Sequence, residues 1–267
     1  MTFKLEKRVM IKGGCMGNCT EQIRKYPIAQ TIQSFYGQLR KDPNHRYRSW
    51  EHCFLAFQRV ILSTASPTES EVDYLSLHLA FYLASWGMYR GSSGLLWKDY
   101  KIYHPVVESL IKNLSKTKFF RENQSASVLK DERKLDQYLD VVFDIKKAIA
   151  NYLNEIRYIK SLDNENETLN DSRFQIAATD TLLTKILLGT IGCAPAYDRL
   201  FKKGANSCNL KCSNFSKRSF RRVLGFTRDN LAEFQSIKAK IDKYPLMKLV
   251  DMYFWNVGVQ LEINESK

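Results

Sequence analysis

DERKLDQYLDVVFDIKKAIANYLNEIRYIK, residues Asp131–Lys160, carries the clearest periodicity in the chain. Leu135, Tyr138, Val142, Ile145, Ile149, Tyr152, Ile156 and Ile159 recur three and four residues apart. On an α-helix those steps bring side chains to one face. The stretch therefore predicts a long helix whose apolar stripe faces a core, or a second chain if it forms a coiled coil.

The segments on either side read the same way. YPIAQTIQSFYGQLR has Pro27 near a helix start, and RYRSWEHCFLAFQRVILS follows the breaker KDPNH. SPTESEVDYLSLHLAFYLASWGMYR opens with a Ser/Thr cap and acidic first turn, then turns apolar all round, as a central buried helix would. HPVVESLIKNLSK, RFQIAATDTLLTKILLGTIG, RDNLAEFQSIKAKIDKY and YPLMKLVDMYFWNVG complete the run, with no strand-like alternation of any length. The expected fold class is all-α: a compact multi-helix domain over residues 1–267. The polar, asparagine-rich stretch Ser161–Ser172 is the natural place to divide it into lobes, 1–165 and 166–267, with a cleft between them.

With 267 residues, 44% of them apolar, the chain can bury a substantial core. It has no apolar run of membrane-spanning length, and its start, MTFKLEKRVMIKGG, lacks the apolar block of a secretory signal. A cytoplasmic protein with no membrane partner is expected. The net charge of +13 draws such a protein to polyanions, because neutralising phosphates releases condensed counterions. Nucleic acid is the expected partner, DNA ahead of RNA. The charge is also uneven. Arg199, Lys202, Lys203, Lys211, Lys217, Arg218, Arg221, Arg222 and Arg228 fall in one stretch without an Asp or Glu, whereas acids outnumber bases ten to six over Asp131–Asp171. These cations, up to Arg222, are the candidate phosphate contacts.

Six cysteines include two C-x3-C pairs, Cys15/Cys19 and Cys208/Cys212. If the two segments meet, their four thiolates suit a tetrahedral zinc site. Otherwise they are ordinary thiols, and no other cofactor is expected.

LLGTIGCAPAYDRLF, Leu187–Phe201, is broken by Gly189, Gly192 and Pro195 before it presents Tyr197, Asp198 and Arg199. Pro195 can open a new helix, which would place Asp198 and Arg199 in its first turn, where exposed N–H groups favour an anion. Asp198 then either caps the helix or serves a site. Here the chain resembles the helix-hairpin-helix DNA glycosylases. LGTIG (Leu188–Gly192) stands for the family's hairpin, PAYDR (Pro195–Arg199) for its aspartate segment, and the terminal YFWNVG for the end of its last helix. The resemblance covers roughly 80 C-terminal residues. It implies base excision by hydrolysis of the N-glycosidic bond, with Asp198 as the essential carboxylate.

WGMYRGSSGLLW, Trp86–Trp97, ends an apolar helix with aromatics, an arginine, glycines and serines. Such a mix suits a pocket for an extruded base. Trp86, Tyr89, Arg90 and Ser92, with Tyr197 and Trp255, are the candidate pocket residues, and this segment is expected within reach of Asp198. Lys185 is a candidate amine nucleophile, although nothing local in the sequence lowers its pKa. Asp251, alone in an apolar run, needs a partner such as Lys248 or Arg199, or is a second active-site acid. Two other classes stay open. One is a nucleic-acid-binding module without catalysis. The other is a ribonuclease of the toxin and defence type, since Arg46 and His52 match the R-x4–6-H pattern of the HEPN family.

Overall fold

The computed structural model describes residues 16–63, 67–90, 93–112, 126–159, 174–241 and 243–266. Cys15, Ser92 and the polar stretch Ser161–Ser172 lie outside the described residues. Within them the fold is all-α. Its helices are α1 (Met16–Lys25), α2 (Ile28–Lys41), α3 (Ser49–Ser63), α4 (Glu69–Ser85), α5 (His104–Lys112), α6 (Ala126–Lys130), α7 (Glu132–Glu155), α8 (Asp180–Thr190), α9 (Arg199–Ser207), α10 (Lys217–Asp229), α11 (Leu231–Lys238) and α12 (Leu246–Glu265). The extended chain is confined, among the described residues, to one antiparallel bridge between Arg157 and Gln175.

Local sequence explains the ends. Pro27 stands immediately before α2, where its missing N–H is harmless. Thr68 and Glu71 form a reciprocal capping box at α4. Asp131 caps α7 by accepting from the N–H groups of Arg133 and Lys134. The inner stripe of α7 is as its periodicity requires: Leu135, Tyr138, Val142, Ile145 and Ile149 are all buried. The helix stops at Glu155, however, short of Lys160. Beyond it Tyr158 donates its backbone N–H to Phe174 and Ile156 accepts from Ile176, so two extended segments hold each other in place of a last helical turn. Tyr158 also stacks on Phe174.

Two helices organise the interior. Every residue of α8 from Leu182 to Thr190 is buried, with α3, α4 and α7 packed around it. α12 packs on α2, α9 and α11. The crossing of α9 and α12 is a backbone contact: a methyl group on Gly204 would overlap the Phe254 carbonyl, and one on Gly258 the Leu200 carbonyl. The hydrophobic core includes residues from both sides of position 165.

One expectation is corrected. α4 is not a central helix buried on all sides. Val72, Leu75, Leu79 and Leu83 are buried, but Tyr74, Leu77 and Phe81 form an outward stripe, and Phe81 is 61% exposed. An apolar composition on every side therefore reflects one face in the core and a second at the surface.

Candidate functional site

α8 ends in a tight turn at Ile191 and Gly192. Ile191 and Gly192 both donate their N–H groups to the Leu187 carbonyl, and Gly192 takes a φ of 71°. Only glycine adopts that conformation at little cost. The turn is buried against Phe54 and Pro245, and Gly189 meets the Tyr82 ring. Its carbonyls are used as well, since Trp50 Nε1 donates to Leu188 O at 3.0 Å. Pro195 does not start the next helix. The chain stays non-helical until Asp198, which is the N-cap of α9, and Arg199 is the first helical residue. The reason is local: Thr184 accepts from Tyr197 N at 2.9 Å and Asp251 from Ala196 N at 3.0 Å, which ties this backbone to α8 and α12.

Asp198 does more than cap. One oxygen accepts from Phe201 N at 3.0 Å, and the other lies 3.6 Å from Lys185 Nζ. The Lys185 side chain is 5% exposed and that of Asp198 16%. A second pair stands close by, with Lys248 Nζ 2.9 Å from Asp251 Oδ2, both on α12 and both buried. The two pairs share one aromatic neighbour. Lys185 Nζ lies 4.9 Å and Lys248 Nζ 5.3 Å from the centre of the Trp86 ring. Lys185 also donates to the Trp86 carbonyl at 3.4 Å. Four charged groups from α8, α9 and α12 thus converge beneath the end of α4.

Burying charge is costly even when it is paired. Burial raises the Asp198 carboxyl above the ordinary carboxylate value, while the Lys185 ammonium and the Phe201 N–H pull it back down. Burial likewise lowers the Lys185 ammonium, opposed by Asp198 and Asp251. The lowering of Lys185 comes from its burial in the packed interior and not from any residue near it in the chain.

Toward solvent the cluster is roofed by aromatics. Tyr47 stacks on Trp86 at 4.6 Å, and Trp255 meets both rings edge-on. The Arg46 guanidinium lies 4.9 Å over the Tyr47 ring. Gly87, with φ of 74°, turns the chain after Trp86, and the Arg90 guanidinium packs over it. Trp86 Nε1 is buried without a hydrogen-bond partner among the described residues.

The structure therefore brings Trp86, Trp255 and Asp198 to one place, joined through Lys185, and adds Tyr47, Lys248 and Asp251. Other residues go elsewhere. Tyr197 is wholly buried; its hydroxyl accepts from Ser219 and its ring packs on Phe201 and Phe215. Tyr89 turns toward Tyr103, hydroxyl to hydroxyl at 3.3 Å. Arg46 stands on the aromatic roof, whereas His52 lies near His78; no contact joins Arg46 to His52 among the described residues.

The basic stretch has partners that its own sequence does not reveal. Arg221 bonds Glu132 at 3.0 Å and also Asp136, Lys217 bonds Asp140, and Arg228 reaches Glu132 at 3.4 Å. The outer face of α7 and the outer face of α10 form a ladder of opposite charges. On the other side Arg199 bonds Glu262 and Lys203 bonds Glu265, both on α12. Lys202, Lys211, Arg218 and Arg222 have no acidic partner among the described residues. Half of the charge asymmetry thus closes on itself.

The two cysteine pairs meet in part. Cys19 of α1 and Cys208 at the end of α9 line the same cavity. Cys212 lies apart, buried, with its thiol toward the Leu210 carbonyl. The described residues bring no three His, Cys, Asp or Glu side chains together for a metal. They supply two adjoining thiols of the four that zinc would need. Among the described residues no helix is long and apolar enough to cross a membrane.

No family model, curated protein or solved structure matches this chain.

Proposed function

We propose that the Lys185–Asp198 pair beneath Trp86 is the reacting centre of a nucleic-acid-directed hydrolase that cleaves the bond between base and sugar. The observation that carries this reading is a carboxylate, mostly buried yet still reaching solvent, held beside an ammonium under a half-exposed aromatic cluster. Buried ion pairs are weak contributors to stability, and charged groups with displaced pKa values concentrate at functional sites. As a base leaves, positive charge develops on the sugar, and a fixed carboxylate stabilises it or orients the attacking water. Lys185 favours the ionised form of Asp198 and so opposes the effect of burial.

Tyr47, stacked on Trp86, marks where the ring of a base would lie, and Arg46 and Arg90 flank that position as phosphate contacts. Lys202, Lys211, Arg218 and Arg222 extend the positive surface. DNA is the first substrate to try.

The test is incubation with normal and modified single- and double-stranded DNAs and RNAs, with mass detection of released base. Release by the wild type and its loss in Asp198→Asn would support the reading. Binding without release would leave a binding module, which the four unpaired cations favour. RNA chain cleavage without base release would point to the Arg46 surface instead.

A further inference from the structure

We propose that Cys19 and Cys208 form a redox pair that a small anionic disulfide converts to an intramolecular disulfide, fastening α1 to the end of α9. This inference is independent of the reaction proposed at Asp198. Three observations place the two thiols in position. The helices that carry them, α1 and α9, pack together, although 188 residues separate the two cysteines in the chain. Both line one open cavity of about 420 Å³, so a small molecule can reach them. The same cavity is lined by Thr20, Asn209, Arg222 and Asp229; Arg222 supplies a cation for a carboxylate-bearing disulfide, and the Asp229 charge acts on Cys19 against the thiolate.

The two sulfurs are not equivalent. Cys19 is half-buried and Cys208 almost wholly buried. Cys208 donates its S–H toward Cys19, which lowers the Cys19 thiol and raises that of Cys208. These features assign the roles. The Cys19 thiolate attacks one sulfur of the external disulfide and expels the first small thiolate, leaving a mixed disulfide. Cys208 gives up its proton and attacks the Cys19 sulfur, which expels the second small thiolate. Two electrons pass from the protein to the external disulfide, and one S–S bond replaces another. Cys53 and Cys193 are fully buried and their thiols raised, so they stay out of the exchange.

The experiment uses the full-length reduced protein and oxidised glutathione. After exchange, free thiols are alkylated and the digest is analysed by mass spectrometry. The expected product is a peptide linking Cys19 to Cys208 and a rise in Tm of about 5 °C or more, reversed by dithiothreitol. Cys208→Ser should stop at a glutathione adduct on Cys19, and Cys19→Ser should leave Cys208 unmodified. A dominant bond from Cys19 to Cys15 or Cys212, or a Cys19 that takes no glutathione in Cys208→Ser, would overturn the proposal.

Discussion

Lys185 Nζ lies 3.6 Å from Asp198 Oδ2, and neither side chain is more than one-sixth exposed. That separation makes Asp198 two things at once: the cap of α9 and the counter-ion of a buried ammonium. The roles can be separated by mutation.

Asp198→Asn keeps the hydrogen bond to Phe201 N and so keeps the cap. It strands the Lys185 ammonium in the interior. A loss of about 3–5 kcal/mol is expected in urea melts, because one partner of a buried pair is left alone. Adding Lys185→Met should restore most of that stability and none of the base release. A single Asn variant as stable as the wild type would show that Lys185 does not depend on Asp198.

The pair should also imprint itself on the pH profile. Asp198 has a folded pKa above its ordinary 3.8, so the folded chain keeps a proton that the unfolded chain has lost. Its contribution to stability therefore falls as pH rises through that window. Lys185 is held below its ordinary 10.5, so the unfolded chain keeps the extra proton, and stability rises as pH climbs from the folded value to 10.5. Against Lys185→Met/Asp198→Asn, the wild-type Tm should lose ground above about pH 4 and regain it toward about pH 10. A difference independent of pH would mean that neither group is displaced.

Asp251 bonds Lys248 and the Ala196 N–H. Asp251→Ala removes both acceptors, and a loss of about 3–5 kcal/mol is expected. Asp251→Asn can still accept from Ala196 but leaves Lys248 charged and alone, and should cost less. Chemical denaturation of the two variants ranks the terms, and equal losses would assign the whole effect to charge.

The ladder between α7 and α10 makes an opposite kind of prediction. Its pairs are exposed, so each is worth about 0–1 kcal/mol. Replacing Glu132, Asp136 and Asp140 with Gln, Asn and Asn should barely change Tm but should free Lys217 and Arg221, while Arg228 keeps Asp229 at 3.2 Å. Polyanion affinity should rise, and its salt dependence should steepen by about 0.9 for each new duplex phosphate contact. An unchanged salt slope in titrations from low to moderate salt would remove α10 from any nucleic-acid interface.

Much of the helical framework was legible because its signals are local. The stripe of α7, the capping box at Thr68 and Pro27 before α2 act within a few residues of themselves. The candidate site was legible only in its anchors. Asp198 stood out as a carboxylate after a broken helix, and Trp86 as an aromatic at a turn. Their meeting through Lys185 depends on how α4, α8 and α9 pack, which no spacing in the chain encodes. Tyr197 was hidden for the same reason: it points into the core, onto Phe201 and Phe215, although the Asp198 beside it still reaches the surface. The basic stretch was read as free charge because its acidic partners belong to α7 and α12. Lys248 and Asp251, three residues apart on one helix, were the exception, and their pairing could be anticipated.

The glycine crossing of α9 and α12 has a mechanical consequence. With Gly204 against Phe254 and Gly258 against Leu200, backbone meets backbone, and no side chain lies between to cushion a shift. The nine-residue helix α9 is about 13 Å long and carries Asp198 at one end and Cys208 at the other. The contacts at Leu200 and Gly204 hold it at two points along its length, so the helix that bears both groups is fixed closely against α12.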